Sequence, residues 1–119
     1  MHTVNLLEKF SKFQDYFHPR VIGEVNDCQV KAVKVKGDFV WHHHDTEDEL
    51  FLVVKGTLRM KFRDHEAVVR EGEFVIVPHG VEHCPVAEEE VHLVLIEPRT
   101  TLNTGNIQNE RTVNQLERI

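Results

Sequence analysis

Residues 37–51 read Gly37-Asp38-Phe39-Val40-Trp41-His42-His43-His44-Asp45-Thr46-Glu47-Asp48-Glu49-Leu50-Phe51. In extended chain successive side chains point to opposite faces, so His42 and His44 share one face and His43 takes the other. The acidic run Asp45 to Asp48 reads as a chain reversal. Glu49 then opens the next strand and brings a carboxylate alongside the two imidazoles. Inside a β-barrel such a His-x-His pair presents two nitrogens to one point, and the stretch is the strongest single indication of the fold.

A fourth group comes from Gly72-Glu73-Phe74-Val75-Ile76-Val77-Pro78-His79-Gly80-Val81-Glu82-His83, which reads as a strand, a Pro-x-Gly turn and a histidine where the chain returns. Three neutral imidazoles and one carboxylate (His42, His44, Glu49, His83) suit a divalent first-row metal such as Zn, Mn, Fe, Ni, Co or Cu. In six-coordination that donor set leaves positions open for water or substrate. His43 by its parity and His79 by its place at a turn apex are expected at the surface or an interface. Cys84, next to His83, should face the other way. His92, between Val91 and Leu93, is expected to be a satisfied barrel histidine, and Trp41 a packing residue.

Working outward, Leu58-Arg59-Met60-Lys61-Phe62-Arg63 alternates three apolar residues with three cations, a strand with one buried face and one solvated face. Val30–Val35, Phe39–Trp41, Leu50–Val54, Ala67–Val69, Phe74–Val77 and Val91–Ile96 are further short apolar runs. Several are apolar on both parities and so covered on both sides. Short strands at this spacing indicate an all-β closed barrel or two-sheet jelly roll, with its core over residues 20–98. Ahead of it, Asn5 followed by Glu8 has the form of a capping box, and Leu6, Phe10, Phe13 and Phe17 recur at helical spacing. They predict a short helix over about residues 6–15, within an N-terminal segment 5–17 that stops before His18-Pro19. Residues 99–119 are polar with isolated apolar positions and read as an extended arm docking on the barrel or on a neighbouring subunit.

The chain has 119 residues, enough for a single domain. Its 14 Lys and Arg stand against 20 Asp and Glu, a net charge of -6, which does not provide the cationic surface that nucleic acid or an anionic membrane requires. Leu50–Val54 is the longest apolar run, far short of the ~20 residues of a membrane-spanning helix. The residues from Met1 onward have the form of neither a secretory signal nor a transit peptide, so a cytoplasmic protein is expected. Cys28 and Cys84 form no CxxC pair and are expected to be reduced. Histidine stands out: six of the nine lie between His42 and His83.

These stretches resemble the two motifs of the cupins, G-x(5)-H-x-H-x(3,4)-E-x(6)-G and G-x(5)-P-x-G-x(2)-H-x(3)-N. His42, His44, Glu49 and Gly56 match the first, and Gly72, Pro78, Gly80 and His83 match the second. Two positions depart from the pattern: four residues, not five, separate Gly37 from His42, and Ala87 replaces the closing asparagine. Neither change removes a ligand. More widely the chain is similar to small bacterial single-domain cupins described as phosphomannose-isomerase-like, including its Ile96-Glu97-Pro98 exit and Asn103-Thr104-Gly105 tail. The resemblance implies a double-stranded β-helix (jelly-roll) barrel, a metal held by His42, His44, Glu49 and His83, and a homodimer.

The functional expectation is a metal-dependent enzyme acting on a small oxygen-donor molecule, of isomerase/epimerase or dioxygenase type. The alternative is a non-catalytic small-molecule-binding protein whose metal is structural or vestigial. If a general base stands beside the metal, His92 and Glu82 are the candidates.

Overall fold

Alternation settles which way each strand faces. In β3 (Glu49–Lys55) Glu49, Phe51 and Val53 are buried, and in β7 (His83–Pro98) Val91, Leu93, Leu95 and Glu97 are buried. The computed structural model describes residues 1–119. Its remaining strands are β1 (Arg20–Val25), β2 (Cys28–Asp38), β4 (Leu58–Phe62), β5 (Glu66–Val69) and β6 (Phe74–Val77), all paired antiparallel. Their order is β1-β2-β7-β3-β6, with β4 pairing both β7 and β5. The result is the all-β jelly-roll barrel the sequence predicts.

Two features explain how this sheet closes. Strand β7 runs for 16 residues, well beyond the expected Val91–Ile96. Its start pairs with β4 (His83 with Phe62, Val86 with Arg59), and its end pairs with both β2 and β3. Glu88 and Glu89, exposed in the middle, break the apolar pattern without breaking the strand. Second, Phe39–Trp41 is not a strand. The β2 register shifts between Val35 and Gly37, where Gly37 has φ +85°, and the chain leaves the ladder after Asp38, which still pairs with Val86. It keeps only isolated bonds to the start of β7: Phe39 N–H to Pro85 O at 3.0 Å and the reciprocal His42–His83 pair at 3.0 and 2.9 Å.

The inward face forms the main core, with Val53, Leu58, Met60 and Val91 fully buried. A second, smaller core lies outside the sheet, where Phe10, Phe13 and Ile22 cover Ala32 and Val94. This second layer accounts for a correction. The helix α1 spans only Leu6–Phe10, not residues 6–15. Asn5 caps it by accepting the Glu8 N–H at 3.0 Å, and Ser11 N–H ends it on Leu7 and Glu8 carbonyls. Phe13 goes to the outer core but Phe17 to the barrel interior. On a helix these residues would lie one turn apart on a single face, so they could not serve two layers. Phe17 instead takes φ 58° and bonds through its N–H to Lys34 O at 2.8 Å.

The segment after Pro98 docks on its own barrel, passing through turns on the way. Thr104 is fully buried, Val21 N–H bonds to Glu117 O at 2.9 Å, and Ile119 N–H bonds to Val21 O at 3.1 Å. No helix is long and apolar enough to cross a membrane.

Candidate metal centre

The four residues singled out by spacing converge. One ligand atom from each of His42, His44, Glu49 and His83 lies within 4.8 Å of all the others, and all four side chains are buried. His42 and His83 face each other because their backbones form the reciprocal pair that joins the β2–β3 connection to β7. Glu49 arrives as the first inward residue of β3. The parity argument holds although residues 42–44 are not in a regular strand: His42 and His44 are buried, while His43 is partly exposed and contacts Asp45 at 3.0 Å.

The hydrogen bonding around the cluster is compatible with a bound cation. His42 Nδ1 lies 2.8 Å from Val40 O and His83 Nδ1 lies 2.9 Å from Val81 O. A carbonyl only accepts, so each Nδ1 carries the proton and each Nε2 presents a lone pair. His83 Nε2 is 3.1 Å from Glu49 Oε1, and His44 Nε2 is 2.7 Å from the same oxygen yet makes no well-directed hydrogen bond. Lone pairs aimed at a carboxylate repel unless a proton or a metal ion stands between them. The electrostatics agree. Burial, reinforced by the neighbouring His83, depresses His42 to about 4, so it is neutral at pH 7. Burial pushes Glu49 upward, but hydrogen bonding to it from His44, His83 and Glu97 prevails and holds it well below the usual carboxylate range. A neutral His42 and an ionised Glu49 are ligand states that a divalent metal takes.

Other histidines lie elsewhere, for visible reasons. His79 is exposed and pairs with Asp48 at 2.8 Å. His92 stacks on Phe10 (ring centroids 4.7 Å apart) and bonds to Glu90 at 2.6 Å. Glu82 is bound to Arg63 at the surface. Neither His92 nor Glu82 stands at the cluster as a base, which corrects that expectation: the first belongs to the outer core, the second to an exposed ion pair. The guanidinium of Arg63 also covers Trp41 at 4.0 Å. Cys84 is buried beside the Phe39 carbonyl and is no part of the cluster.

Sequence reasoning missed a buried ion pair. Lys31 Nζ bonds to Glu97 Oε1 at 3.0 Å, with both side chains 2% exposed. The Glu97 carboxyl abuts Glu49. Burial and the Glu49 charge raise Glu97 well above its usual value against the pull of Lys31. The signal was present: Glu97 follows Val91, Leu93 and Leu95 at period two, so it had to point inward. The contact of the C-terminal arm with the histidine segment was missed as well. Asn106 N–H bonds to His43 O at 3.1 Å, and His43 N–H bonds to Asn106 Oδ1 at 2.9 Å. Gly105 (φ +54°) packs so tightly that a Cβ there would lie 2.2 Å from His43 O and 3.0 Å from the His42 ring. Only glycine permits that approach.

A cavity of about 40 Å3 adjoins the cluster. His42 and Glu49 line one side, and Phe17, Phe39, Val33, Leu93 and Leu95 supply an apolar wall; Glu97 and Asn103 also line it. The Phe17 and Phe39 rings stack at 4.9 Å.

The family model for the cupin domain matches residues 30–97, a span that includes all four clustered residues. The chain is a cupin. Among solved structures, this cupin is similar to a cupin-2 domain containing protein from Shewanella frigidimarina (49% identity, TM-score 0.80, covering 82% of this chain and 95% of that one). It is also similar to protein NMB1881 from Neisseria meningitidis (35% identity, TM-score 0.74, covering 82% of this chain and 99% of that one). A curated relative, the uncharacterized protein YdbB of Bacillus subtilis, is 41% identical over 63 residues, 52% of this cupin; the match spans 56% of that relative's length.

Proposed function

We propose that His42, His44, Glu49 and His83 hold a divalent transition metal (Zn, Mn, Fe, Ni or Co) and that this cupin is a metal-dependent enzyme acting on a small molecule bound through oxygen, of isomerase/epimerase or dioxygenase type. The observation that carries the reading is the apolar cavity bordered by His42 and Glu49. Such an ion supplies Lewis acidity, and, if redox-active, oxygen chemistry. The Val40 and Val81 carbonyls fix the His42 and His83 rings, and the Phe17–Phe39 stack forms part of the apolar wall. Glu49 faces the imidazoles and is not free to act as a base. No Lys or Arg lines the cavity, so the wall offers nothing to a phosphate and favours an unphosphorylated ligand end.

Elemental analysis of protein purified without an affinity tag, under metal-replete conditions, tests the site. The expected result is one metal per chain in wild type and near none in His42→Ala and His83→Ala; substoichiometric wild type or metal-retaining variants would sink it. Metal-dependent turnover or dioxygen uptake supports the enzyme. Ligand affinity that survives metal stripping marks a binding module instead.

The reading includes a cytoplasmic homodimer. On the outer sheet face Ile76 and Ile96 flank Leu50 in register across β6, β3 and β7, with Phe74 beside them. Phe74 is 59% and Ile76 53% exposed. An exposed apolar patch marks an interaction surface, and two-fold dimers, the commonest oligomers, bury the same patch on both subunits. Light scattering is expected to give twice the chain mass for wild type and the single-chain mass for Phe74→Glu/Ile76→Glu.

A further inference from the structure

His43 lies between two members of the cluster and belongs neither to the donor set nor to a regular strand. Its neighbours are tied to the barrel: His42 by the reciprocal backbone pair with His83, and His44 through its carbonyl, which accepts the Gly80 N–H at 2.7 Å. Both backbone groups of His43 are held by one residue of the C-terminal arm. The Asn106 N–H donates to His43 O at 3.1 Å, and Asn106 Oδ1 accepts the His43 N–H at 2.9 Å. Asn106 thus stands in for the neighbouring strand that this segment lacks. Gly105 packs so that a Cβ there would lie 3.0 Å from Cδ2 of the His42 ring, the carbon bonded to Nε2, while Val40 O holds Nδ1 on the opposite edge. The turn carrying both residues is itself fixed. Gly105 N–H bonds to Leu102 O at 2.9 Å, and the buried Thr104 hydroxyl lies 2.6 Å from Ile107 O and from the Thr112 hydroxyl. The arm lies beyond the cupin-domain match, which ends at residue 97.

We infer that Gly105 and Asn106 are positioning residues of the metal centre: they fix the His42 ring and the backbone between His42 and His44, so that both imidazoles are aimed before an ion binds. Peptide groups are planar, so the relation between two ligands one residue apart is set by the φ and ψ of the residue between them. Asn106 grips the peptide groups on both sides of those torsions, one by its N–H and one by its oxygen. Ligands already in place lose less freedom on coordination, which raises affinity. The inference rests on the metal reading above and extends it to residues outside the ligand set.

The test titrates the metal-free protein with Co2+ against a competing chelator; the competition reads affinity and the d–d absorption reads ligand geometry, with no turnover needed. Asn106→Ala is expected to weaken Co2+ binding about tenfold, the lower end of what losing a group that orients a metal ligand costs, and to alter the d–d spectrum. Asn106→Asp keeps the acceptor oxygen and is expected to restore both. Gly105→Ala should weaken binding further, because its Cβ would fall 2.2 Å from His43 O. That variant can expel the whole arm, so the Asn106 pair decides. Gln108→Ala, whose side chain bonds to Asn114 in the same arm, is the control and is expected to bind Co2+ as wild type does. Wild type that takes up no Co2+ would overturn the metal centre and this inference with it. Wild-type uptake with unchanged affinity and spectrum in Asn106→Ala, an Asn106→Asp no better than Asn106→Ala, or equal weakening in Gln108→Ala would overturn the positioning role and leave the metal centre standing.

Discussion

The two ends of the barrel interior are built by the same strands and differ only in what points inward. At one end β2, β3 and β7 contribute Val35, Val53 and Val91, packed with Leu58 and Met60. Four to six residues further along the same faces, β2 contributes Lys31, β3 contributes Glu49 and β7 contributes Glu97. The backbone ladder is continuous between them, with Val53 opposite Leu93 and Phe51 opposite Leu95. The lesson is that a strand's inward parity is fixed by the pleat, but parity does not decide chemistry. The apolar end is held by contact and burial. The polar end is held by charges that must be satisfied by each other, by a proton or by a ligand, and the two ends should therefore fail differently when altered.

The largest effect is expected at the polar end. Lys31→Met leaves the Glu97 and Glu49 carboxyls buried together without a cation, and should destabilise the fold by about 3–5 kcal/mol in urea denaturation. Adding Glu97→Leu should bring stability back to within about 1 kcal/mol of wild type, because a well-packed apolar pair replaces a buried ion pair at little net loss. If the double variant is no more stable than Lys31→Met, the charge argument fails and packing governs both ends. Next, Leu58→Ala at the apolar end should cost about 2–5 kcal/mol by leaving a cavity. No polar partner change should rescue it, and recovery by a compensating Lys31 or Glu97 substitution would break the contrast.

The smallest effect is a pH dependence confined to the polar end. His42 is held neutral in the fold, at about 4, while the unfolded chain takes up its proton near 6.5. Between those values the unfolded state binds more protons, so stability is full above pH 6.5 and falls as pH drops toward 4. For metal-free protein this amounts to about 2 kcal/mol between pH 7 and pH 5. Glu97 works in the opposite sense, since its raised value stabilises the fold as pH falls. The acid slope should therefore be steeper in Lys31→Met/Glu97→Leu than in wild type. Denaturation in the presence of chelator across that range checks it, and a flat profile in the double variant would remove His42 from the account.

The meeting of His42, His44 and Glu49 could be anticipated because each relation is local, a two-residue step and a four-residue reversal; His83, 34 positions beyond Glu49, was legible only through the second motif of the resemblance. Alternation in β4 was readable for the same reason. Phe13 and Phe17 misled because helical spacing describes one face, whereas these rings enter two layers that exist only once the sheet is formed. The length of β7 was hidden by Glu88 and Glu89, which break an apolar count without breaking hydrogen bonds. Lys31 and Glu97 lie 66 positions apart, and nothing local in either apolar run indicates that the other charge would be waiting.

The sequence by itself determined the all-β barrel and the shared face of His42, His44 and Glu49, because pleat parity and turn spacing are properties of neighbouring residues; it indicated His83 only through a motif. Tertiary structure alone decided that a Lys31–Glu97 pair lies behind Glu49, that Gly105 presses on the His43 backbone and the His42 ring, and that a small cavity is lined by His42, Glu49 and Glu97. Those features follow from the strand order and from the path of the C-terminal segment, which set distances between residues that the chain keeps far apart.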